Sequence, residues 1–349
     1  MLVIALLTTS VAGAAALPAK RVLTHEILSL SLGPTPGTDE TVFAQALAVS
    51  RDGVVVGAST GPTHGSTHAF VFARGELIDL GTLGGDTSIA YDVDDSGVVV
   101  GAARTAEEAL VAVEWRDGHA RPLGTLGGRE SAATAIGDDG TIVGWSQTTD
   151  GALHAFVRRP DSPVDDLGTL GGTTSIASAI DGQGTIVGAA SRTGDGPLQA
   201  AVWRDGEAIA LEPLPGTVSG SANDVDREGT VVGVVSLADG RSMAVVWENG
   251  VAPRALATPD GSSSVARGIN DRGWIVGEIV SSDGVRTPVL WVDGLRIELR
   301  ALLPRAEWTL EDAADANDRG FIVGTGRYRG TSAFVIRPLR QDAEDQTDD

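Results

Sequence analysis

Three groups of residues in this chain have the types and spacing that chemistry needs. Gly57-Ala58-Ser59-Thr60-Gly61 matches the G-x-S-x-G pattern, in which a sharp strand-to-helix turn lifts a serine nucleophile toward an oxyanion hole. His64, His68 and His154 carry imidazoles of the kind that ligate transition metals. Asp92-Val93-Asp94-Asp95-Ser96-Gly97 and Asp224-Val225-Asp226-Arg227-Glu228-Gly229 place carboxylates at alternate positions, as a calcium loop does. Asp92, Asp94, Asp224 and Asp226 are therefore the calcium candidates.

Each group lacks the context its chemistry requires. Ser59 ends a β-rich run and enters a loop with no helical pattern behind it. His154 lies far along the chain from the other two, and no converging ligand set accompanies it. The turns that correspond to the two aspartate loops include Ala179-Ile180-Asp181-Gly182-Gln183-Gly184 and one carrying Arg319, which do not complete a calcium site. Asp and Asn also favour such turns by bonding their own backbone. The residues thus assign no catalytic group, no cofactor and no metal, with calcium as the weaker alternative.

What would position these residues is a repeat. Gly-x-Val/Ile-Val-Gly occurs seven times, its last glycine at Gly57, Gly101, Gly144, Gly188, Gly233, Gly277 and Gly324. The steps are 44, 43, 44, 45, 44 and 47 residues, a period that signals a repeat architecture. Each repeat reads as four short strands, a to d. In the second, Ser88–Val93 is strand a, Val98–Ala102 strand b, Leu110–Trp115 strand c and Ala120–Leu126 strand d. Ser-Gly and Asp-Gly turns separate them, as in hairpins. Four strands in roughly 44 residues match one propeller blade. Strand a is rich in small residues, which suits a crowded central axis. Strand c carries Phe72, Trp115, Trp203, Trp247 and Trp291 at one place, which suits packing between blades; a ligand stripe is the competing reading.

The seventh repeat ends without a strand d. Glu26-Ile27-Leu28-Ser29-Leu30-Ser31-Leu32 near the chain start resembles the strand d run from Glu76. The expected fold is therefore an all-β, seven-bladed propeller of four-stranded blades, closed by the N-terminal strand on the last repeat. Such closure removes exposed sheet edges. Expected boundaries are a signal peptide over 1–19, one propeller over 21–339 and an acidic disordered tail over 340–349.

Composition agrees with a β-rich chain. Of 349 residues, 46 are glycine and none is cysteine, so disulfides, thiolate metal sites and cysteine nucleophiles are excluded. The net charge of −21 argues against nucleic acid and anionic membrane surfaces as partners. Met1 to Ala19 carries no charged side chain. Its run from Leu2 to Leu7 is followed by Ala14-Ala15-Ala16, a small-x-small cleavage pattern, and the mature chain is expected to start between Ala15 and Lys20. An uncleaved anchor is the alternative, although the apolar run is short for a membrane span. The expected location is extracellular, with periplasm or cell surface as variants, and the expected state is a monomer.

The motifs also resemble those of the HAF repeat family of bacterial extracellular proteins. Its tripeptide stands as His68-Ala69-Phe70 and His154-Ala155-Phe156. Its Leu-Gly-Thr-Leu-Gly-Gly element stands at 80–85, 123–128 and 167–172, and its Ile-Asn-x-x-Gly turn at 269–273. The resemblance runs from Glu26 to Leu339 and implies a secreted or surface-exposed protein. It supplies no activity. Because His68 and His154 share one slot of the repeat, a structural hydrogen bond is expected there.

The resulting functional expectation is a secreted, non-catalytic binding or scaffold protein. Its partner would be an extracellular protein or polysaccharide, held on the face of the b–c loops, which vary in length and chemistry. Trp145 and Trp308 are the candidate ligand-stacking residues near that face. The alternative is a propeller-based hydrolase or lyase acting on extracellular polysaccharide. Its mark would be polar residues converging at the mouth of the channel.

Overall fold

A computed structural model of the chain describes residues 25–30, 32, 43–61, 63, 65–249, 251–303, 308–328 and 331–338. The expected signal peptide (1–19) and acidic tail (340–349), and also His64, lie outside the described residues. The described chain is all-β, built of antiparallel four-stranded units of the propeller kind.

Repeats 3 to 6 each form a separate sheet in the order a-b-c-d. Repeat 4 is representative, with strands Ser175–Ile180, Ile186–Ser191, Leu198–Arg204 and Glu207–Ala210. Repeats 1 and 2 have the same order and are joined by one parallel pair, Thr67 with Thr87. In repeat 7, strand a is split into Thr309–Leu310 and Asp315–Ala316. Its strand c, Thr331–Pro338, pairs antiparallel with His25–Leu30, so that Glu26 faces Arg337 and Leu30 faces Ala333.

The repeated glycines have two separate causes. Gly97 closes the a–b turn at a φ of 87°, a region that costs glycine little. Gly101 sits opposite a β-bulge in strand a, where the register slips between Ala90 and Asp92. A Cβ on Gly101 would come within 2.0 Å of the Ile89 carbonyl oxygen. The same bulge recurs opposite Gly57, Gly144, Gly188, Gly233 and Gly277. The sequence period is therefore a packing constraint between strands a and b.

Apolar side chains pack between neighbouring repeats. Trp115 joins the cluster between repeats 1 and 2, and Trp203 the one between repeats 3 and 4. A further cluster brings Leu30, Val323 and Val335 of the last sheet against Ala44, Val55 and Phe70 of repeat 1. In repeat 3 the tryptophan slot holds Arg158, which is buried and paired to the buried Glu114 of repeat 2 at 3.2 Å. Burying an ion pair is costly unless both partners stay matched, so these two positions depend on each other.

A serine at the start of strand a forms a second link between repeats. Ser175 Oγ accepts the Ala155 N–H at 2.9 Å and donates to the Gly168 carbonyl at 2.7 Å. Ser88 and Ser131 do the same one repeat at a time. This accounts for the Leu-Gly-Thr-Leu-Gly-Gly element, whose first Gly carbonyl receives the serine. Ser175→Ala leaves a buried N–H unpaired, and a loss of about 1–3 kcal/mol is expected in urea unfolding. An unchanged midpoint would show that the serine links nothing.

Candidate functional site

The a–b turns of all seven repeats line one cavity of about 230 Å³. In six repeats a polar side chain just before the turn caps it; repeat 3 has Gly137 there and is capped by Asp139 instead. Asp94 Oδ1 accepts the N–H groups of Ser96 and Val98 at 2.9 and 2.8 Å. Asp226 Oδ1 accepts those of Glu228 and Thr230 at 2.9 and 2.8 Å. Asp181, Asn270 and Asn317 cap their own turns in the same way. Asn270 and Asn317 also donate to the turn of the following repeat, Asn317 reaching the Ser50 carbonyl at 2.8 Å.

The next position along the turn faces the mouth of the cavity. In the seven repeats it holds Arg51, Asp95, Asp138, Gly182, Arg227, Asp271 and Asp318. Arg51 pairs with Asp95 at 2.7 Å, and Arg227 Nε pairs with Asp271 at 3.1 Å. Both arginines also turn toward Asp138, Arg227 at 3.0 Å and Arg51 at 3.9 Å. Asp318 has no ion pair among the described residues, and its buried Oδ1 has no hydrogen-bond partner. An orphaned buried oxygen carries a desolvation cost that a donor would relieve.

Three more aspartates gather beneath this ring. Asp92 accepts its neighbour Val93 N–H at 2.7 Å and the Ile136 N–H of the next repeat at 2.9 Å. Asp224 likewise accepts the N–H of Val225 and of Ile269, and Asp315 those of Ala316 and Val49. Each carboxylate thus fastens one strand a to the next. Burial pushes the Asp92 carboxyl up to about 7, with a smaller push from Asp315 and Asp94. Burial also raises Asp224 well above the ordinary carboxylate range, helped by Asp315, and raises Asp315.

These contacts locate the residues singled out from the sequence. Asp94 and Asp226 spend Oδ1 on capping their turns, while Asp92 and Asp224 bridge neighbouring strands through backbone N–H groups. Among the described residues no three His, Asp or Glu side chains are grouped to hold a metal ion. Ser59 is buried in strand b, where its Oγ accepts the Leu32 N–H at 3.0 Å and donates to the Phe43 carbonyl at 3.2 Å. His68 and His154 each pair Nδ1 with an aspartate of strand d, Asp79 at 2.9 Å and Asp166 at 2.8 Å.

Trp145 is half-buried within strand b of repeat 3, between Ala132 and Ala155. Trp308 is a correction to the expected stacking role. It is 8% exposed, stacked on Tyr328 at 5.3 Å and edge-on to Phe334 at 6.2 Å. Its ring faces are taken up by the core of the last sheet. The Arg-Asp-Asp-Gly-Arg-Asp-Asp ring was not singled out from the sequence. Its signal was there, because the slot follows the capping residue in six of the seven repeats, yet charged turn residues ordinarily read as solvated surface.

All-β architecture, four-stranded units and an axial polar cavity define a protein of the β-propeller class. Solved structures of low sequence identity share that fold. A puromycin-hydrolyzing peptidase of Mycobacterium tuberculosis aligns at 16% identity and TM-score 0.58, over 88% of this chain and 54% of the peptidase. The β-propeller domain of the Trilobed protease from Pyrococcus furiosus, described as having an open velcro topology, aligns at 12% identity and TM-score 0.57, over 87% of this chain and 97% of that domain. An acylaminoacyl peptidase of Pyrococcus horikoshii gives 12% identity and 0.54, over 86% of this chain and 53% of the other. The chain thus spans about half the length of both peptidases.

The family whose model matches is described as a protein of unknown function (DUF3466), over residues 16–163. This overturns the resemblance to the HAF repeat family. The motifs that suggested it are short and structural: the histidine pairs with strand d, the glycine element receives a serine, and the asparagine caps a turn. No curated protein matches the chain. No helix among the described residues is long and apolar enough to cross a membrane.

Proposed function

We propose that this chain is an exported, non-catalytic binding protein, a seven-bladed propeller that receives a basic segment of a partner protein at the mouth formed by its a–b turns. The pairing of His25–Leu30 with the last repeat and the apolar cluster between the last and first repeats support the closed ring. The single observation that carries the binding site is the orphaned Asp318 Oδ1 at the wall of a cavity with six aspartates and two arginines. A net negative, partly enclosed mouth attracts cations and strengthens their pairing. The non-catalytic reading rests on the occupied state of the best candidate groups, Ser59, Asp92 and Asp224, each already bonded to backbone. Polar groups do converge at the mouth, as a hydrolase or lyase would require, but nine of them are turn caps or paired charges. The b–c face, where the variable loops first suggested a partner, retains Trp145 alone of its two aromatic candidates.

The test is fluorescence anisotropy with a labelled tetra-arginine peptide at physiological salt. Asp318→Asn is expected to weaken binding about tenfold, the equivalent of one charge-assisted contact. Asp161→Asn, on a c–d turn, makes the same charge change elsewhere and is expected to have little effect. Equal effects of the two substitutions would reduce the interaction to general charge attraction and remove the site.

A further inference from the structure

We infer that Arg227 is a tethered occupant of this mouth, holding in the free protein the place that an arginine side chain of the partner takes in the complex. This deepens the binding site proposed above and rests on it.

The first ground is reach. Arg51 to Asp95, Arg227 to Asp271 and Arg319 to Asp52 are ion pairs between neighbouring repeats. The contact of Arg227 with Asp138 reaches further, because it passes over repeat 4 to join repeat 5 to repeat 3 at 3.0 Å; Arg51 passes over repeat 2 toward the same Asp138, but only to 3.9 Å. Repeat 4 alone has glycine in the ring position. A Cβ on Gly182 would stand 3.7 Å from Arg227 Nε and 3.8 Å from Asp138 Oδ2, so any longer side chain there would crowd the contact. The second ground is shape. Arg227 uses Nε toward Asp271 and a terminal nitrogen toward Asp138. These two carboxylates are therefore set apart by the span of one guanidinium, a fork that lysine cannot reproduce.

The third ground is weakness. Arg227 and Asp138 are each about half exposed, at 49% and 51%. Exposed pairs of this kind contribute little, up to about 1 kcal/mol each. The side chain can therefore swing out at small cost. Its backbone remains anchored by the Asp271 carboxylate on its N–H and by Gln183 on its carbonyl. A partner guanidinium that entered would find Asp138 and Asp271 at fork spacing, in the same cavity as Asp318, whose Oδ1 has no hydrogen-bond partner among the described residues.

The experiment compares labelled tetra-arginine and tetra-lysine peptides on the full chain and on Arg227→Ala and Arg227→Gln. Removing the tethered guanidinium is expected to tighten the tetra-arginine peptide about tenfold, the sum of two exposed pairs, and the tetra-lysine peptide by less. Melting temperatures of both variants are expected to stay near that of the parent, and either variant suffices if the other folds poorly. If both variants bind tetra-arginine as the parent does or more weakly, while Asp318→Asn still weakens binding, the inference about Arg227 fails and the binding site stands. If neither peptide binds parent or variants, the site and the inference both fail. Equal tightening of the two peptides would leave a charge effect and remove the guanidinium fork.

Discussion

A chain lacking residues 21–37 is expected to melt roughly ten degrees or more below the intact protein, or to associate into a dimer. The segment includes His25–Leu30, which supplies the fourth strand of the last sheet. Leu30 is 3% exposed and packs in the cluster with Phe70, Val323 and Val335, while Ile27, Leu28 and Leu32 are half-buried. One full and three partial burials amount to roughly 4–7 kcal/mol. That is a large part of the ~5–15 kcal/mol that holds an ordinary domain, and a deficit of that size lowers a melting temperature by roughly ten degrees or more. Removal also bares the edge of Thr331–Pro338, and a bare edge recruits another strand. Calorimetry with size-exclusion chromatography decides the matter. A truncated monomer that melts with the parent would show that the strand is dispensable.

Stability is expected to fall as pH rises from about 5 to 8, the opposite of a protein held by salt-bridged carboxylates. Asp92, Asp224 and Asp315 are all raised in the folded chain, Asp92 to about 7. Unfolded, each loses its proton near pH 4. Between these values the folded state keeps protons that the unfolded state has released, so stability declines across that window and levels off above the folded pKa. Moving the Asp92 titration from near pH 4 to about 7 would correspond to about 4 kcal/mol. Asp92 as a residue is only half-buried, and that contact with solvent reduces the effect to roughly 2–4 kcal/mol. Self-repulsion in a chain of net charge −21 acts in the same direction. Asp92→Asn separates the two, since it removes the titration and barely changes net charge. Urea unfolding at pH 5 and pH 8 is expected to show a smaller difference for Asp92→Asn than for the parent. Equal differences would place the pH dependence in the overall charge.

Much of the fold was legible because the repeat writes its constraints locally. Gly97 must turn and Gly101 must admit a carbonyl, and both demands recur every 44 residues or so. Strand c announced its packing role through Trp115, Trp203, Trp247 and Trp291, all of which are buried. The shared slot of His68 and His154 correctly suggested a structural bond, although the sequence did not name Asp79 and Asp166. The family resemblance failed for a related reason. Short motifs imposed by blade geometry recur wherever that geometry is built, and they mark a structural need more than a lineage.

The sequence by itself determined the strands, the turns and the partner of the N-terminal strand, because each depends on residues close together or on a periodic pattern. Tertiary structure alone decided the site. Arg51, Asp138, Arg227 and Asp318 stand in turns far apart in the chain, and each reads there as a solvated charge. Their meaning comes from convergence on one mouth, where Asp138 draws two arginines and Asp318 draws none. Trp308 shows the same limit in reverse: beside a loop in sequence, it lies under Tyr328 in space. Periodicity reports what each repeat needs from its neighbours, whereas the charge left unbalanced at an axis is a property of all the repeats together.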